Sequence, residues 1–560
     1  MVFLKDKIRE LIGFPHAKIE YPTEATHGDY ACAIAFELAK QEKKSPRQAA
    51  EELMKKIKRP DWIERIEIAG AGFINFFLSP KFLTAFLAEI KKEATQFGQS
   101  DIFRGKTVAT DISHPNVAKP MGVHHLLSTI IGDSLNRIFA AVGYKVVRDN
   151  YLGDWGTQFG KLIYAYKTWG DEVAVQKNPI PELLELYVKF HDEAERDPNL
   201  EDLGRLEFKK LEQGDAENRK LWKWVVDLSL KEFHKIWNRL DVKFDFIHGE
   251  SFYEDKMQAI IDCGIKEKIF VEGERGALIA PLDDANKPPC IIRKSDGATT
   301  YATRDLARVK YWEDEWHPDL MVMVVDMAQI LHFQQFIEVA EKLKLTKAQN
   351  IHIPFGRMQF PEKRMSTRKG NIVLLEELLD EAQEGAYKIV CEKNPELSDK
   401  QKRAVARQVG IGSVKYAVLA QNRMTNVTFT WEKMLSLEGN SAPYVQYVHA
   451  RACSILRKQD GKKIVSKQEY ILKEPSELAV ARLLPKFPEV VAHAAQEFKP
   501  NLIANYLFEL ASRFNTFYAS VQVLQAEEDA RAARLALTES VATTLKNGLA
   551  LLGIEAPEEM

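Results

Sequence analysis

Cysteine is scarce in this sequence, which has only five in 560 residues. No two of them form a Cys-X-X-Cys pair, and none joins a His/Cys cluster with zinc-ligand spacing, so neither a redox pair nor a structural zinc site is indicated. The pattern is typical of reduced core residues in a cytoplasmic protein. The five are Cys32, Cys263, Cys290, Cys391 and Cys453.

An excess of either charge and a long apolar run are also missing. The chain carries 78 basic and 80 acidic residues, for a net charge of −2. Composition therefore gives no global signal for nucleic acid, although a local basic face is enough to bind phosphates. The longest apolar run, near residues 321–325, is too short to span a bilayer, and the start of the chain lacks the pattern of a signal peptide. We expect a cytoplasmic protein with no membrane association.

Two common nucleotide-binding fingerprints are absent. Gly70 and Gly72 have no third glycine in register and no helix predicted to open after them, which argues against a dinucleotide loop. Lys161 is not followed by Ser or Thr, which excludes a Walker A loop.

The stretch 106–150 has the clearest local organisation. Residues 107–112 are typical of a short buried strand, and apolar residues within 127–142 recur at the three- and four-residue spacing of one helical face. Gly143 ends that helix, as a residue free to adopt a positive φ can. Residues 144–149 then form the next predicted strand.

The loop before that helix carries a set of polar side chains, namely Asn116, Lys119, His124 and His125. They gather at a helix N-terminus, where free backbone N–H groups and the positive end of the dipole favour a phosphate. The loop therefore indicates an anion site. The alternative is that two adjacent histidines merely cap a turn.

The same stretch resembles the signature region of class I aminoacyl-tRNA synthetases, in the form found in arginyl-tRNA synthetases. PNVAK at 115–119 and STIIGD at 128–133 match that form. The histidine signature reads Gly-Val-His-His at 122–125, so that only its last histidine, His125, is in register.

Further motifs extend the resemblance over the whole chain, in order. GDWGTQFG at 153–160 is similar to a segment of the arginyl enzymes, and RMSTRKG at 364–370 is similar to the mobile second signature loop of class I. The terminal LLGIEAPEEM resembles the end of the arginyl family.

The fold class expected is α/β and multidomain. Strands alternating with helices on both sides of a helix-rich stretch predict a mostly parallel, Rossmann-type sheet with a helical insertion. The resemblance implies an α+β N-terminal tRNA-binding domain at 1–100 and a Rossmann-type catalytic domain with connecting helices at 101–436. It also implies an all-α anticodon-binding bundle at 437–560.

The resemblance also implies roles for individual residues. Glu250, Tyr301 and Asp305 would take a guanidinium, and Asn116 and Gln329 an α-amino group. Thr367 stands where the second lysine of the loop signature would be, and Lys119 would supply that charge. The residues expected to act in catalysis are Lys119, His124, His125, Arg364, Ser366, Arg368 and Lys369. Those expected to bind ATP are Gly122, His125, Met365 and Gly370.

The activity implied is that of an arginine–tRNA ligase. Such an enzyme converts L-arginine and ATP to arginyl-adenylate and transfers arginine to the 3′ end of tRNA(Arg), releasing AMP and pyrophosphate. Mg²⁺ is expected to accompany ATP rather than occupy a protein site, and a monomer is expected.

Two other functions stay open at this point. One is a small nucleotidyltransferase of the same sheet architecture, which would lack the helical C-terminal third. The other is a catalytically altered, tRNA-binding relative of a synthetase, which the changed histidine signature suggests.

Overall fold

The computed structural model describes residues 3–360, 373–459 and 472–560. The chain forms two compact units, each assembled from separate stretches. The first contains the residues up to Ile102 together with Ala386–Tyr416 and Leu435–Met560, and the second contains Phe103–Gly385 and Ala417–Met434. The division predicted at residues 100 and 436 stays a prediction.

The N-terminal part of the first unit is an antiparallel sheet covered by helices, with the strand order β1-β2-β4-β3. Its elements are α1 Leu4–Ile12, β1 Ile19–Glu20, β2 Tyr30–Cys32, α2 Ile34–Glu42, α3 Pro46–Lys56, β3 Ile63–Ala69, β4 Phe73–Leu78 and α4 Pro80–Glu93. Apolar residues alternate in this part of the sequence, which predicts a strand pair, and the antiparallel pairing of β3 with β4 confirms it. The pair Ser45-Pro46 predicts a helix start, because Ser is a favoured N-cap and Pro a favoured first helical residue. The structure confirms it, with Ser45 and Gln48 forming a capping box.

The second unit begins with the strand, loop, helix and strand predicted for residues 106–150. Its first elements are β5 Thr107–Asp111, α5 Val123–Ala141, β6 Lys145–Asn150, α6 Thr157–Trp169, α7 Glu172–Lys177, α8 Pro179–Arg196, α9 Asn199–Glu212, α10 Ala216–Arg239 and β7 Phe246–Ile247. Gly143, which follows α5, has a φ of 98°. Helices α7 to α10 are the predicted helical insertion.

The remaining elements of the second unit follow the insertion. They are α11 Met257–Lys266, β8 Val271–Glu272, β9 Leu278–Ala280, β10 Cys290–Arg293, α12 Tyr301–Trp316, β11 Leu320–Asp326, α13 Ile330–Lys342, β12 Gln349–Phe355 and β13 Met358–Gln359. The main sheet has the order β12-β11-β5-β6-β7 and all of its pairs are parallel. This confirms the predicted Rossmann-type sheet and puts the carboxyl ends of β11, β5, β6 and β7 along one edge.

The sequence after residue 241 favours strands, in the stretches 241–253 and 291–312, and the structure differs from this expectation. Strands β8, β9 and β10 form a separate antiparallel sheet. Their connections are too short for the crossover of a dozen or more residues that parallel neighbours need. Residues Tyr301–Trp316, included in the stretch expected to be strands, form the helix α12, in which residues 302–309 are all buried.

The last part of the chain is almost entirely helical, as predicted. Its elements are α14 Leu375–Lys393, α15 Asp399–Leu419, β14 Val427–Thr428, α16 Trp431–Met434, α17 Ala442–Arg457, α18 Pro475–Ala481, α19 Phe487–Glu497, α20 Asn501–Ser520 and α21 Glu528–Leu551. Strand β14 pairs with β13 in the second unit. No helix among the described residues combines the length and apolar character needed to cross a membrane.

Candidate active site

The site lies at the carboxyl edge of the parallel sheet, where open α/β sheets place their ligand crevices. Asn116 follows β5, Glu250 follows β7, and Gln329 follows β11, so the topology brings these three predicted residues to one edge. Tyr301 and Asp305 begin α12, which follows the small antiparallel sheet instead. The predicted site residues therefore converge, although two of them come from outside the main sheet.

The loop after β5 has an unusual backbone. Ser113, His114 and Ala118 all have positive φ values, of 86°, 49° and 62°. Non-glycine residues rarely adopt this conformation, and it persists only where surrounding contacts enforce it. Here Ser128 of α5 accepts from the Ser113 N–H at 3.0 Å, and Ser229 of α10 accepts from the Ala118 N–H at 3.0 Å.

The same loop is joined to the GDWG segment through backbone hydrogen bonds. The Val117 N–H donates to the Gly153 carbonyl at 3.1 Å, and the Gly153 N–H donates to the Pro115 carbonyl at 3.0 Å. Asn116, between these bonds, is exposed. Its amide is thus presented to solvent from a fixed backbone.

The two histidines at the start of α5 have different environments. His125 is 7% exposed, and its Nδ1 accepts from the Gly122 N–H at 3.0 Å. Burial, then the neighbouring His124 and His114, lower the pKa of His125 to about 3. The ring is therefore neutral at physiological pH with its proton on Nε2, since Nδ1 is the acceptor. His125 can act as an N–H donor but not as a cation.

His124 is exposed and faces a cavity of about 260 Å³. Burial lowers its pKa, and Asp326 at the end of β11 opposes that effect. The walls of the cavity are largely apolar, with backbone from the β12–β13 connection, which suits a flat heteroaromatic ring. The remaining lining residues are Val123, Leu127, Phe355, Gly356, Arg357, Met358, Phe360 and Val373.

Lys119 points its ammonium at the helical insertion. Its Nζ lies 4.8 Å from the centre of the Tyr187 ring on α8, which is a cation–π distance. The side chain is half-buried.

Glu250 provides a carboxylate that is not paired. Within the described part of the chain no side chain or backbone group hydrogen-bonds to it, although its own N–H donates to the Leu152 carbonyl at 2.9 Å. Burial raises the pKa of Glu250 to about 7, with Arg304 opposing and Asp154 and Asp305 adding to the shift. A bound cation would favour the ionised form of this carboxylate, which burial disfavours.

Asp305 contrasts with Glu250, because both of its oxygens already have partners. Its Oδ1 lies 2.9 Å from Nη2 of Arg308, and its Oδ2 lies 2.6 Å from Nε2 of His332. The buried Arg308 guanidinium also donates to Asp111 at the end of β5. Burial opposes ionisation of Asp111, but His114 and Arg308 outweigh it and lower the pKa of that carboxyl.

Tyr301 and Arg304 complete this side of the site. Tyr301 is exposed, with 68% of its surface accessible, at the first position of α12. Arg304, one turn later, donates to Oε1 of Glu254 from Nη2 at 2.7 Å and from Nε at 3.0 Å. Among the described residues, Arg304 is the cation that opposes the raised pKa of Glu250, and its guanidinium is already bound to Glu254.

Sequence reasoning missed the pairing of Asp305 with Arg308 and His332, and the carboxylates Asp111 and Asp154. Asp154 of the GDWG segment accepts from the Ser251 N–H at 2.9 Å and from its hydroxyl at 2.6 Å, which fixes the residue next to Glu250. One signal was available for Arg308, namely charged residues at helical spacing on the apolar face of α12. No sequence signal indicated its partner Asp111.

Six residues predicted for the second signature loop cannot be compared, because they lie outside the described residues. They are Arg364, Met365, Ser366, Arg368, Lys369 and Gly370. Among the residues that are described, no group of three or more His, Cys, Asp or Glu side chains is arranged to hold a metal ion.

Comparison with known families defines the class of the protein. The family model described as "tRNA synthetases class I (R), catalytic domain" matches residues 87–431. Models described as "Arginyl tRNA synthetase N terminal domain" and "DALR anticodon binding domain" match residues 3–78 and 445–560. The fold and these matches are those of a class I aminoacyl-tRNA synthetase.

Full-length relatives narrow that class. Proteins named arginine–tRNA ligase from Fusobacterium nucleatum and Enterococcus faecalis are 44% and 46% identical to this chain, each over 97% of it and 95% of their own length. Solved arginyl-tRNA synthetases from Plasmodium falciparum and Thermus thermophilus have TM-scores of 0.85 and 0.82 at 25% and 26% identity, with 100% of both chains covered. The chain belongs to the arginyl-tRNA synthetase family.

Proposed function

We propose that the protein activates L-arginine with ATP to arginyl-adenylate and transfers arginine to the 3′ end of tRNA(Arg). In the first step a carboxylate oxygen of arginine attacks the α-phosphorus of ATP, and pyrophosphate leaves. In the second step a terminal ribose hydroxyl of the tRNA attacks the activated carbonyl, and AMP leaves. The observation that carries the proposal is the unpaired, half-buried carboxylate of Glu250, on the same sheet edge as the N-terminus of α5.

Glu250 is assigned to the guanidinium of arginine. A planar guanidinium is best held by a carboxylate through two parallel hydrogen bonds, and Glu250 has its acceptors free among the described residues. Asp305 is assigned a supporting contact through the lone pairs that Arg308 and His332 leave open. Tyr301 is assigned to the same end of the substrate because its ring is exposed beside Glu250.

Asn116 and Gln329 are assigned to the α-amino group. Both are exposed at the sheet edge, after β5 and β11, and an amide oxygen accepts well from an ammonium.

The nucleotide is assigned to the start of α5. In the first turn, the N–H groups of Val123 and His125 already donate to the carbonyls of Val373 and Gly122, at 3.2 and 3.0 Å. The His124 N–H and Nε2–H of His125 would therefore donate to phosphate oxygens. The cavity beside His124 is assigned to adenine, against the backbone of the β12–β13 connection. Because His125 is neutral, positive charge for the transition state must come from other residues.

The cations are assigned to Lys119 and to the second signature loop. Lys119 stands in for the lysine that Thr367 replaces. Arg364, Arg368 and Lys369 would neutralise the leaving pyrophosphate, with Ser366, Met365 and Gly370 completing the loop around ATP. Mg²⁺ would enter with ATP, coordinated mainly by phosphate oxygens and water.

The tRNA is assigned to the first unit, whose helical part has a cavity of about 840 Å³. At its rim the Arg451 guanidinium lies 4.8 Å from the Tyr447 ring and 5.1 Å from the Tyr518 ring. Aromatic and guanidinium planes of this kind bind unstacked nucleobases. We assign this cavity to the anticodon and expect the protein to act as a cytoplasmic monomer.

Arginine-dependent ATP–pyrophosphate exchange tests the proposal. We expect exchange with arginine, strongest when tRNA(Arg) is added, and little with lysine or citrulline. Tight binding of tRNA without any exchange would instead favour the catalytically altered relative. Exchange without an amino acid, or with lysine equal to arginine, would exclude the assignment.

A further inference from the structure

A buried carboxylate of the first unit is bound entirely by residues from near the start of the chain. Glu489 on α19 is 6% exposed. Its Oε1 accepts from the Lys5 backbone N–H at 2.8 Å, and its Oε2 accepts from the Tyr21 hydroxyl at 2.5 Å and the Tyr30 hydroxyl at 3.3 Å. We call residues 3–102 the N-terminal module and α17–α21 the bundle; Glu489 joins the two.

Cations and a second acid surround this contact. Nζ of Lys5 lies 4.0 Å from the centre of the Tyr21 ring, and Nζ of Lys486 lies 4.9 Å from it. Oδ1 of Asp29, in the module, lies 3.5 Å from Nε of Arg482, in the bundle. Burial raises the pKa of Glu489, and the hydrogen bonds from Tyr21 and Lys5 oppose the shift.

Close packing accompanies the polar contacts. The Phe97 and Phe487 rings are 5.6 Å apart, and Gly98, with a φ of 99°, has room for no side chain, because a Cβ would lie 2.3 Å from the Phe487 ring. Asn547 donates to the carbonyls of Ala94 and Phe97 at 2.8 and 3.0 Å. The orientation of the module on the bundle is thereby specified in detail.

Stability alone does not explain an acid at this position. A buried carboxylate carries a desolvation cost, and apolar residues of similar volume usually stabilise such a site at least as well. The three hydrogen bonds that Glu489 accepts define the orientation of the module, because all three can form in one orientation only.

We propose that Glu489 is a positioning residue for tRNA, which holds the N-terminal module so that one tRNA is bound by module and bundle together. The proposal rests on the proposed tRNA-charging function. When two binding surfaces are held rigidly, a ligand bound to one of them meets the other at a high effective concentration. Loosening the link between the surfaces therefore lowers the affinity only of a ligand that binds both. The anticodon arm alone does not span both surfaces.

The test compares full-length tRNA(Arg) with its isolated anticodon stem-loop. Dissociation constants for both RNAs are measured by fluorescence anisotropy on the full chain, for Glu489→Gln and for the double variant Tyr21→Phe/Tyr30→Phe. We expect full-length tRNA to bind about tenfold to a hundredfold more weakly, and the stem-loop to change less than about twofold. The variant Tyr21→Phe/Tyr30→Phe keeps the aromatic rings and removes only their hydroxyl groups. It therefore replaces Glu489→Gln in the test if Glu489→Gln does not fold.

Glu477→Gln is the matched control. Glu477 is as buried as Glu489, but its hydrogen bonds come from Lys473, Glu474 and Arg534, all in the C-terminal part of the chain. We expect it to leave the ratio of the two affinities unchanged.

Three results would overturn the positioning role. Unchanged binding of full-length tRNA in both variants excludes it, and so does an equal loss for both RNAs, which would mean damage to the bundle. The positioning role is also excluded if Glu477→Gln changes the ratio of the affinities for full-length tRNA and stem-loop by as much as Glu489→Gln does. If the unmodified protein binds neither RNA, the proposed function itself fails, which is a distinct outcome.

Discussion

The end of the candidate site that we assign to phosphate and the end that we assign to the guanidinium differ in the kind of group that they offer a ligand. At the start of α5 the donors assigned to the phosphates are the His124 N–H and a neutral imidazole, because His125 is buried and its Nδ1 accepts from the Gly122 N–H. At the other end, Glu250, Asp305 and Asp154 crowd together, and Glu250 has no partner among the described residues. The start of α5 thus offers neutral hydrogen-bond donors, whereas the other end offers a carboxylate, that of Glu250, with no ion-pair partner among the described residues.

The difference has a physical reason. ATP brings its own counter-ion, so fixed donors are enough to orient it, and cations are needed only as pyrophosphate leaves. Arginine brings one delocalised charge, and selection against neutral amino acids requires a charge on the protein. In the proposed function the paired Asp305 and the unpaired Glu250 would divide that task, since Arg308 and His332 already bind Asp305 while Glu250 has no partner among the described residues.

The largest effect is expected at the phosphate end. His125→Ala removes a donor aimed at developing phosphate charge and should slow adenylate formation by about 10²- to 10³-fold. His125→Asn, which keeps an N–H donor, should recover part of that loss. Single-turnover activation rates measure both, and a rate within threefold of the unmodified protein in His125→Ala would show that the backbone alone suffices.

A smaller effect, confined to arginine, is expected at the other end. Glu250→Gln replaces a charge-assisted hydrogen bond by a neutral one, a loss of about 1.5–3 kcal/mol or about 10- to 150-fold in kcat/KM for arginine. The KM for ATP should not change. Glu267→Gln, an exposed glutamate at the end of α11, is the control.

The same variant should change stability in a pH-dependent way. The pKa of Glu250 is raised to about 7 in the folded chain, above its ordinary value of 4.5. The unmodified protein therefore loses stability as pH rises from about 4.5 through 7, because ionisation is less favourable in the fold. Glu250→Gln should show a higher Tm than the unmodified protein at pH 8 and an equal Tm near pH 4.5. A lower Tm at pH 8 would mean that Glu250 is paired after all.

Arginine binding should follow the same titration. Only the ionised carboxylate attracts a guanidinium, so the affinity for arginine should fall about tenfold per pH unit below pH 7 and level off above it. Glu250→Gln, which cannot ionise at this position, is the control and should show a flatter profile. Equilibrium dialysis between pH 5.5 and 8.5 measures this, and a flat profile in the unmodified protein would contradict the assignment.

The smallest effect is expected at His124. It faces the cavity assigned to adenine, and an apolar contact with a ring is worth less than a donor to a phosphate. His124→Ala should raise the KM for ATP a few-fold and leave the activation rate nearly unchanged. If it slows activation more than His125→Ala, the two histidines have exchanged roles.

Local patterns explain which features were predictable from the sequence. The strand and helix of residues 107–142 follow from apolar spacing, and the place of His125 follows from the register of that helix. The ion pair of Arg308 with Asp111 was not predictable, because 197 positions separate the two residues and no periodicity links them. The small sheet was misassigned because short apolar runs do not reveal strand direction, whereas the connection lengths do.

The central claim is that Glu250 supplies the charge that selects arginine, and citrulline tests it most directly. Citrulline has nearly the shape of arginine but a neutral end. The measurement is the ratio of kcat/KM for arginine to that for citrulline in ATP–pyrophosphate exchange, in the unmodified protein and in Glu250→Gln. We expect the ratio to fall about 10- to 150-fold in the variant. An unchanged ratio would contradict the account and leave Asp305 as the selecting acid.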